Sequence, residues 1–138
     1  MNITFNGSVD SSDYEAAALK TAKNMGTVEM NLIHAAMGLA SDAGEFVDCV
    51  KKHTIYGKEL DTENAIEELG DVLWFIVFAA NTLNVTLAEV MQANVNKLAK
   101  RYPFMYSDEA AIARADKITE DDGSSHEANN IYSDGTPK

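Results

Sequence analysis

His34-Ala-Ala-Met-Gly-Leu-Ala-Ser-Asp-Ala-Gly-Glu45, followed further on by Glu67-Glu-Leu-Gly-Asp-Val-Leu-Trp74, is the stretch on which the reading of the fold turns. Inside it lie two matched phrases, Asp42-Ala43-Gly44-Glu45 and Glu68-Leu69-Gly70-Asp71. Each sets two carboxylates three residues apart, with a glycine just before the second. Positions i and i+3 share a face of an α-helix, so each phrase projects two acids side by side. If the two helices run antiparallel, four carboxylates converge into an oxygen-ligand site suited to a hard divalent cation.

Helix boundaries make that convergence plausible. A helix capped by Thr27 runs to about Lys52, where Lys51, Lys52 and His53 suit its negative end. The next begins at Asp61 or Thr62 and runs to about Leu83, with Asn84 as its stop. Glu45 and Glu68 then lie at equal distances from the turn, about 10 Å along each axis. Two antiparallel helices joined by a short loop bring such positions to one height. Gly38, Gly44 and Gly70 inside these helices each cost roughly 1 kcal/mol against alanine, so close helix approach or room for a ligand is implied. An acidic chain also produces acid pairs on wet faces by chance. Clustered carboxylates without a counter-ion repel, and a divalent cation removes the repulsion.

Other elements follow from caps and periodicity. Ser11-Ser12-Asp13 opens a first helix over Tyr14 to Asn24, ended by Gly26. Thr86 and Glu89 form a capping box for a fourth helix that ends at Tyr102-Pro103. Ser107-Asp108-Glu109 opens a short fifth helix through about Arg114. Ile3-Thr4-Phe5 suits a short extended piece. After Ala115 the apolar period is lost, and six acids stand against two lysines, the composition of a mobile tail. The expectation is an all-α, four-to-five-helix bundle over residues 1–115 with an acidic tail at 116–138. Val72 to Ala80 is apolar on every side, which calls for cover on every side and points to a dimer or dimer of dimers.

Composition bounds the function. At 138 residues the chain is one domain's length, and 46% apolar content excludes disorder for its body. A net charge of −11 argues against a nucleic-acid or anionic-membrane surface, though not against a nucleotide brought in with a metal. One cysteine, Cys49, excludes an internal disulfide and a Cys-rich zinc site, and its apolar flank suits burial. The first ten residues lack a basic n-region and an apolar h-region, and the longest apolar run is nine residues where a span needs about 20. The expectation is a soluble, cytoplasmic protein with no membrane and no nucleic-acid partner.

All-oxygen ligands on helices favour Mg²⁺ or Mn²⁺ over zinc. A di-iron bundle needs Glu-x-x-His pairs, and neither phrase has a histidine at its fourth position. Mg²⁺ held by carboxylates commonly binds substrate phosphates, which calls for cations nearby. Asn94, Lys97 and Arg101 share one face of the fourth helix and can serve, although a solvated basic helix end reads the same way.

These strings, with Asn94-Val-Asn-Lys-Leu-Ala-Lys-Arg-Tyr-Pro103, resemble the MazG-type nucleotide pyrophosphohydrolases of the all-α NTP pyrophosphatase group. The likeness covers roughly residues 27 to 115 in order. The family pattern is Glu-Glu-x-x-Glu followed by Glu-x-x-Asp. Glu45, Glu68 and Asp71 match it; Ser41 and Asp42 stand where the two leading glutamates belong. The resemblance implies Mg²⁺-dependent hydrolysis of a (deoxy)nucleoside triphosphate between its α and β phosphates, with Asp42, Glu45, Glu68 and Asp71 as metal-binding and catalytic residues. It also implies a homodimer or homotetramer, phosphate contacts from Lys97 and Arg101 assisted by Asn94, and a base or sugar pocket with His34 and Trp74. A core position is the alternative for His34 and the favoured reading for Trp74. Asp48 extends the acidic face or is solvated surface, and His53 is a helix-end residue. The competing functions are a non-catalytic nucleotide or metal sensor, for which Ser41 and Asp42 speak, and a helical interaction module using the acidic tail.

Overall fold

The computed structural model describes residues 8–117, and the expected extended piece at Ile3–Phe5 and the tail from 118 onward lie outside the described residues. The described chain is all-helical: α1 (Ser11–Leu19), α2 (Val28–Thr54), α3 (Thr62–Thr82), α4 (Leu87–Arg101), α5 (Asp108–Ala113) and a 3₁₀ turn, Ala115–Lys117. No single described helix is long and apolar enough to cross a membrane.

Local chemistry sets most of the boundaries. Thr27 Oγ1 accepts from Met30 N at 3.2 Å, Asp61 from Asn64 N at 3.0 Å, and Ser107 Oγ from Ala110 N at 3.1 Å. Thr86 and Glu89 make the reciprocal pair of a capping box: Thr86 N donates to Glu89 Oε2 (2.7 Å) and Glu89 N to Thr86 Oγ1 (3.2 Å). Asn84 ends α3 in the left-handed region with φ 57°. The first helix differs from expectation. Asp10, not the Ser11–Asp13 cluster, is its N-cap, accepting from Ser12 N at 2.8 Å and Asp13 N at 2.9 Å. The helix therefore starts three residues early and ends at Leu19, where Thr21 Oγ1 takes the freed Ala18 carbonyl at 2.7 Å.

The described residues divide into two compact units, one up to Ala93 and one from Asn94. In the first, α2 and α3 form a long antiparallel hairpin, and α1 lies against α3. A small core of Ala18, Val77 and Leu87 is wrapped by Tyr14, Leu19, Trp74 and Ile76. Most of the apolar run of α3 is covered within the chain, with Val77, Phe78 and Ala80 buried. Exposed apolar side chains are spread over several elements, among them Val28, Met30, Ile33, Met37 and Val47 on α2, Ile66, Leu69 and Leu73 on α3, and Val90 and Met91 on α4. Cys49 is buried as expected, its thiol donating to the Asp61 carbonyl at 3.3 Å.

Trp74 ties α1 to α3. Its indole N–H lies 2.8 Å from Thr21 Oγ1 and 3.2 Å from the Ala18 carbonyl. Tyr14 adds an O–H bond to the Gly70 carbonyl at 3.2 Å, and Glu15 caps the first amide of α4, Leu87 N, at 3.0 Å. Trp74→Phe is expected to lower unfolding free energy by about 1–3 kcal/mol through loss of the N–H bonds and of packed ring volume. Denaturant titration followed by far-UV circular dichroism checks it.

In the second unit, Arg101 and Asp116 form a bidentate pair at 2.6 and 2.8 Å. The Asp116 side chain is 2% exposed, and the guanidinium beside it holds its carboxyl down to about 2. Asp116, which the sequence places in a mobile tail, therefore anchors the 3₁₀ turn.

Candidate functional site

Residues of the hairpin face one another in layers. His34 on α2 stands edge-on to Phe78 of α3 with ring centroids 5.5 Å apart, and equally to Phe75. One turn on, Gly38 lies under the Phe75 ring, so closely that a Cβ there would overlap it. The next layers hold Asp42 and Glu45 of α2 with Glu68 and Asp71 of α3, and below them Cys49 reaches Asp61 at the turn. The hairpin thus grades from aromatic, through acidic, to a polar end.

Glu68 is the centre of the acidic layers. Taken over the whole residue, it alone of the described charged residues is buried, with 8% of its surface exposed. Burial first, and then the negative charges of Glu45, Asp71, Asp42 and Glu67, raise its pKa above the ordinary 4.5. Both phrases therefore lie within electrostatic reach of a single carboxyl. Asp42 is half-buried, while Glu45 and Asp71 are exposed. Among the described residues no three acidic, histidine or cysteine side chains are drawn up as a ready coordination cluster. A Cβ placed at Gly44 or Gly70 meets nothing within 4 Å, so the space beside the second acid of each phrase is open.

The raised pKa has a sign that can be tested. The folded chain keeps the Glu68 proton to a higher pH than the unfolded chain does, so its contribution is full below about 4.5 and declines as pH climbs through the raised folded value. Asp10, Asp48, Asp116 and Glu89 have lowered pKa values, so their contributions are complete above 4.5. In chelator, the melting temperature is expected to fall with rising pH above that value. Mg²⁺ should remove the fall, and Glu68→Gln should flatten the chelator profile; differential scanning calorimetry checks all three.

Around the acids, the sequence-derived candidates separate. His34 has its Nδ1 buried with no hydrogen-bond partner. Trp74 stacks on Phe78 (5.5 Å, 18°) and has its N–H engaged with α1, which gives it a structural part. Phe75 and Phe78, which the sequence reading did not single out as site residues, line the α2–α3 seam; their spacing from Asp71, at i+4 and i+7, was the available signal. Asp48 is not part of the acidic layers: Lys51 and Lys52 pair with it and hold it down to about 2. Asn94, Lys97 and Arg101 fall in the second unit, and the Arg101 guanidinium is committed to Asp116.

Comparison with known proteins agrees with the motifs. The Gene 37 protein of Mycobacterium phage L5 is 38% identical over 97 residues, covering 64% of this chain and 84% of that protein. No solved structure matches significantly. The MazG nucleotide pyrophosphohydrolase domain matches residues 33–106, the segment that carries both acidic phrases and the basic end of α4. The chain belongs to the MazG nucleotide pyrophosphohydrolase family.

Proposed function

We propose that this chain is a Mg²⁺-dependent hydrolase that cleaves (deoxy)nucleoside triphosphates between the α and β phosphates, releasing the monophosphate and pyrophosphate. The observation that carries this reading is Glu68, a buried carboxylate facing the charges of Glu45, Asp71 and Asp42. Such a group is unfavourable alone and favourable around a divalent cation. The donors are all oxygen, which fits Mg²⁺ or Mn²⁺. Glu45, Glu68 and Asp71, with Asp42 on a shorter arm, would hold the ion. When bound, it supplies charge neutralisation at the phosphates and a lowered water pKa. A carboxylate of the first phrase, Asp42 or Glu45, would take the proton of the attacking water. His34, with Phe75 and Phe78 around it, forms an apolar end suited to a nucleobase, and its unpartnered Nδ1 supports a polar contact there. On the family resemblance, Asn94, Lys97 and Arg101 are proposed phosphate contacts.

Self-association as a homodimer or homotetramer belongs to the same proposal. It is supported by the apolar side chains left in solvent, among them Phe104 at 98%, Ile112 at 82% and Met37 at 68% exposed.

Incubating the chain with each ribo- and deoxyribonucleoside triphosphate and Mg²⁺, with both products identified, tests the reaction. Pyrophosphate and monophosphate in equal amounts are expected. Tight nucleotide binding with no turnover on any of them would overturn hydrolysis and leave the sensor reading, which Ser41 in place of a family glutamate favours.

A further inference from the structure

At the polar end of the hairpin is a cavity of about 310 Å³ lined by Cys49, Lys52, Lys58, Glu59, Asp61 and Asn64. Its lining continues the acidic stripe on both helices. Cys49 lies four residues beyond Glu45 on α2, and Asn64 lies four before Glu68 on α3, each about 6 Å along the axis. The cavity therefore begins one helical turn from the acids, on the side away from the aromatic layers.

The loop that closes it is held in place. Gly57 takes a left-handed conformation with φ 66°, which an L side chain adopts poorly. Beyond it, Lys58 N donates to the Lys52 carbonyl at 3.2 Å, and the Lys58 carbonyl accepts from His53 Nδ1 at 2.8 Å. The Lys58 backbone is thus tied to α2 on both sides. The charges near it are unequal in availability. Lys52 is paired with Asp48, and Asp61 caps Asn64 N, whereas Lys58 makes no ion pair among the described residues. The first-turn amides of α3 add partial positive charge. Glu59 and Asp61 keep the cavity from being a general anion trap, so an anion is favoured there in complex with a cation.

We propose that this cavity receives the pyrophosphate half of the substrate, with Lys58 as its cationic contact, while the base lies at the His34–Phe75–Phe78 end. This orientation rests on the nucleotide-hydrolase reading above.

The test is calorimetric titration of the full chain with magnesium pyrophosphate and, separately, with nucleoside monophosphate. Lys58→Ala is expected to weaken pyrophosphate binding about tenfold, the scale of one charge-assisted hydrogen bond. Monophosphate binding should be unchanged, and Lys58→Arg should restore pyrophosphate binding. Lys51→Ala, an exposed α2 lysine outside the cavity lining, is the control for general charge. Unaltered pyrophosphate binding in Lys58→Ala, an equal loss for monophosphate, or an equal loss in Lys51→Ala would each overturn the orientation. Wild-type release of pyrophosphate from a triphosphate, measured alongside, separates the two ideas. If release occurs and Lys58→Ala binds normally, the orientation alone fails; if no triphosphate is cleaved, the hydrolase reading itself fails.

Discussion

Glu68→Gln is expected to abolish most turnover while making the metal-free chain more stable. The two effects come from one cause. Glu68 is buried and faces Glu45, Asp71 and Asp42, so its charge is costly until a cation offsets it. Glutamine has nearly the same shape and no charge, so in chelator the melting temperature should rise at neutral pH. With Mg²⁺, losing one anionic donor at the site where phosphate charge is stabilised should remove about 3–4 kcal/mol, or ~10²–10³-fold in rate. Mn²⁺ affinity, followed by electron paramagnetic resonance, should weaken in parallel. Unchanged turnover in Glu68→Gln would remove the acidic layers from the reaction. A loss of activity accompanied by a lower melting temperature in chelator would mean instead that Glu68 is a structural acid.

Gly38→Ala is expected to destabilise the chain, although helix propensity taken alone argues the reverse. An alanine in a helix interior gains about 1 kcal/mol over glycine. At Gly38 the new Cβ would overlap the Phe75 ring. That ring has little freedom to retreat, with His34 5.5 Å away on one side and Trp74 4.8 Å away on another. Overpacking of this kind costs about 1–3 kcal/mol, enough to outweigh propensity. Gly44→Ala and Gly70→Ala meet open space and should show the propensity gain instead, up to about 1 kcal/mol each. Adding Phe75→Ala to Gly38→Ala should relieve the overlap, giving a coupling of about 0.5–3 kcal/mol in a double-mutant cycle. Urea unfolding measures all of these. A Gly38→Ala chain as stable as the Gly44→Ala chain would show that the ring moves aside freely.

The two predictions show how unevenly the site could be read. That the acidic phrases share one seam follows from i,i+3 spacing and equal distances to a turn, both present in the sequence. Gly38, Gly44 and Gly70 look alike there, yet only Gly38 has a neighbour over it. Trp74 and Arg101 were candidates for the substrate. Their tertiary partners lie far off in sequence or in a segment with no apolar pattern: Ala18 and Thr21 for Trp74, Asp116 for Arg101. No periodicity links such pairs. Lys58 carries no sequence signal of its own, because nothing local shows that His53 and Lys52 hold its backbone at a cavity.

By itself the sequence determined the helices and the family. Caps at Thr27, Asp61, Thr86–Glu89 and Ser107 act within three residues, so local hydrogen bonding suffices to place most boundaries. The acid, glycine and aromatic spacing of α2 and α3 carries the kinship of residues 33–106. Tertiary structure decided which side chains are free to act. The burial of Glu68, the commitment of Arg101 to Asp116 and the seating of Phe75 on Gly38 all depend on the distance between residues remote in the chain. Burial and charge–charge energies are functions of that distance, and it exists only once the hairpin has closed.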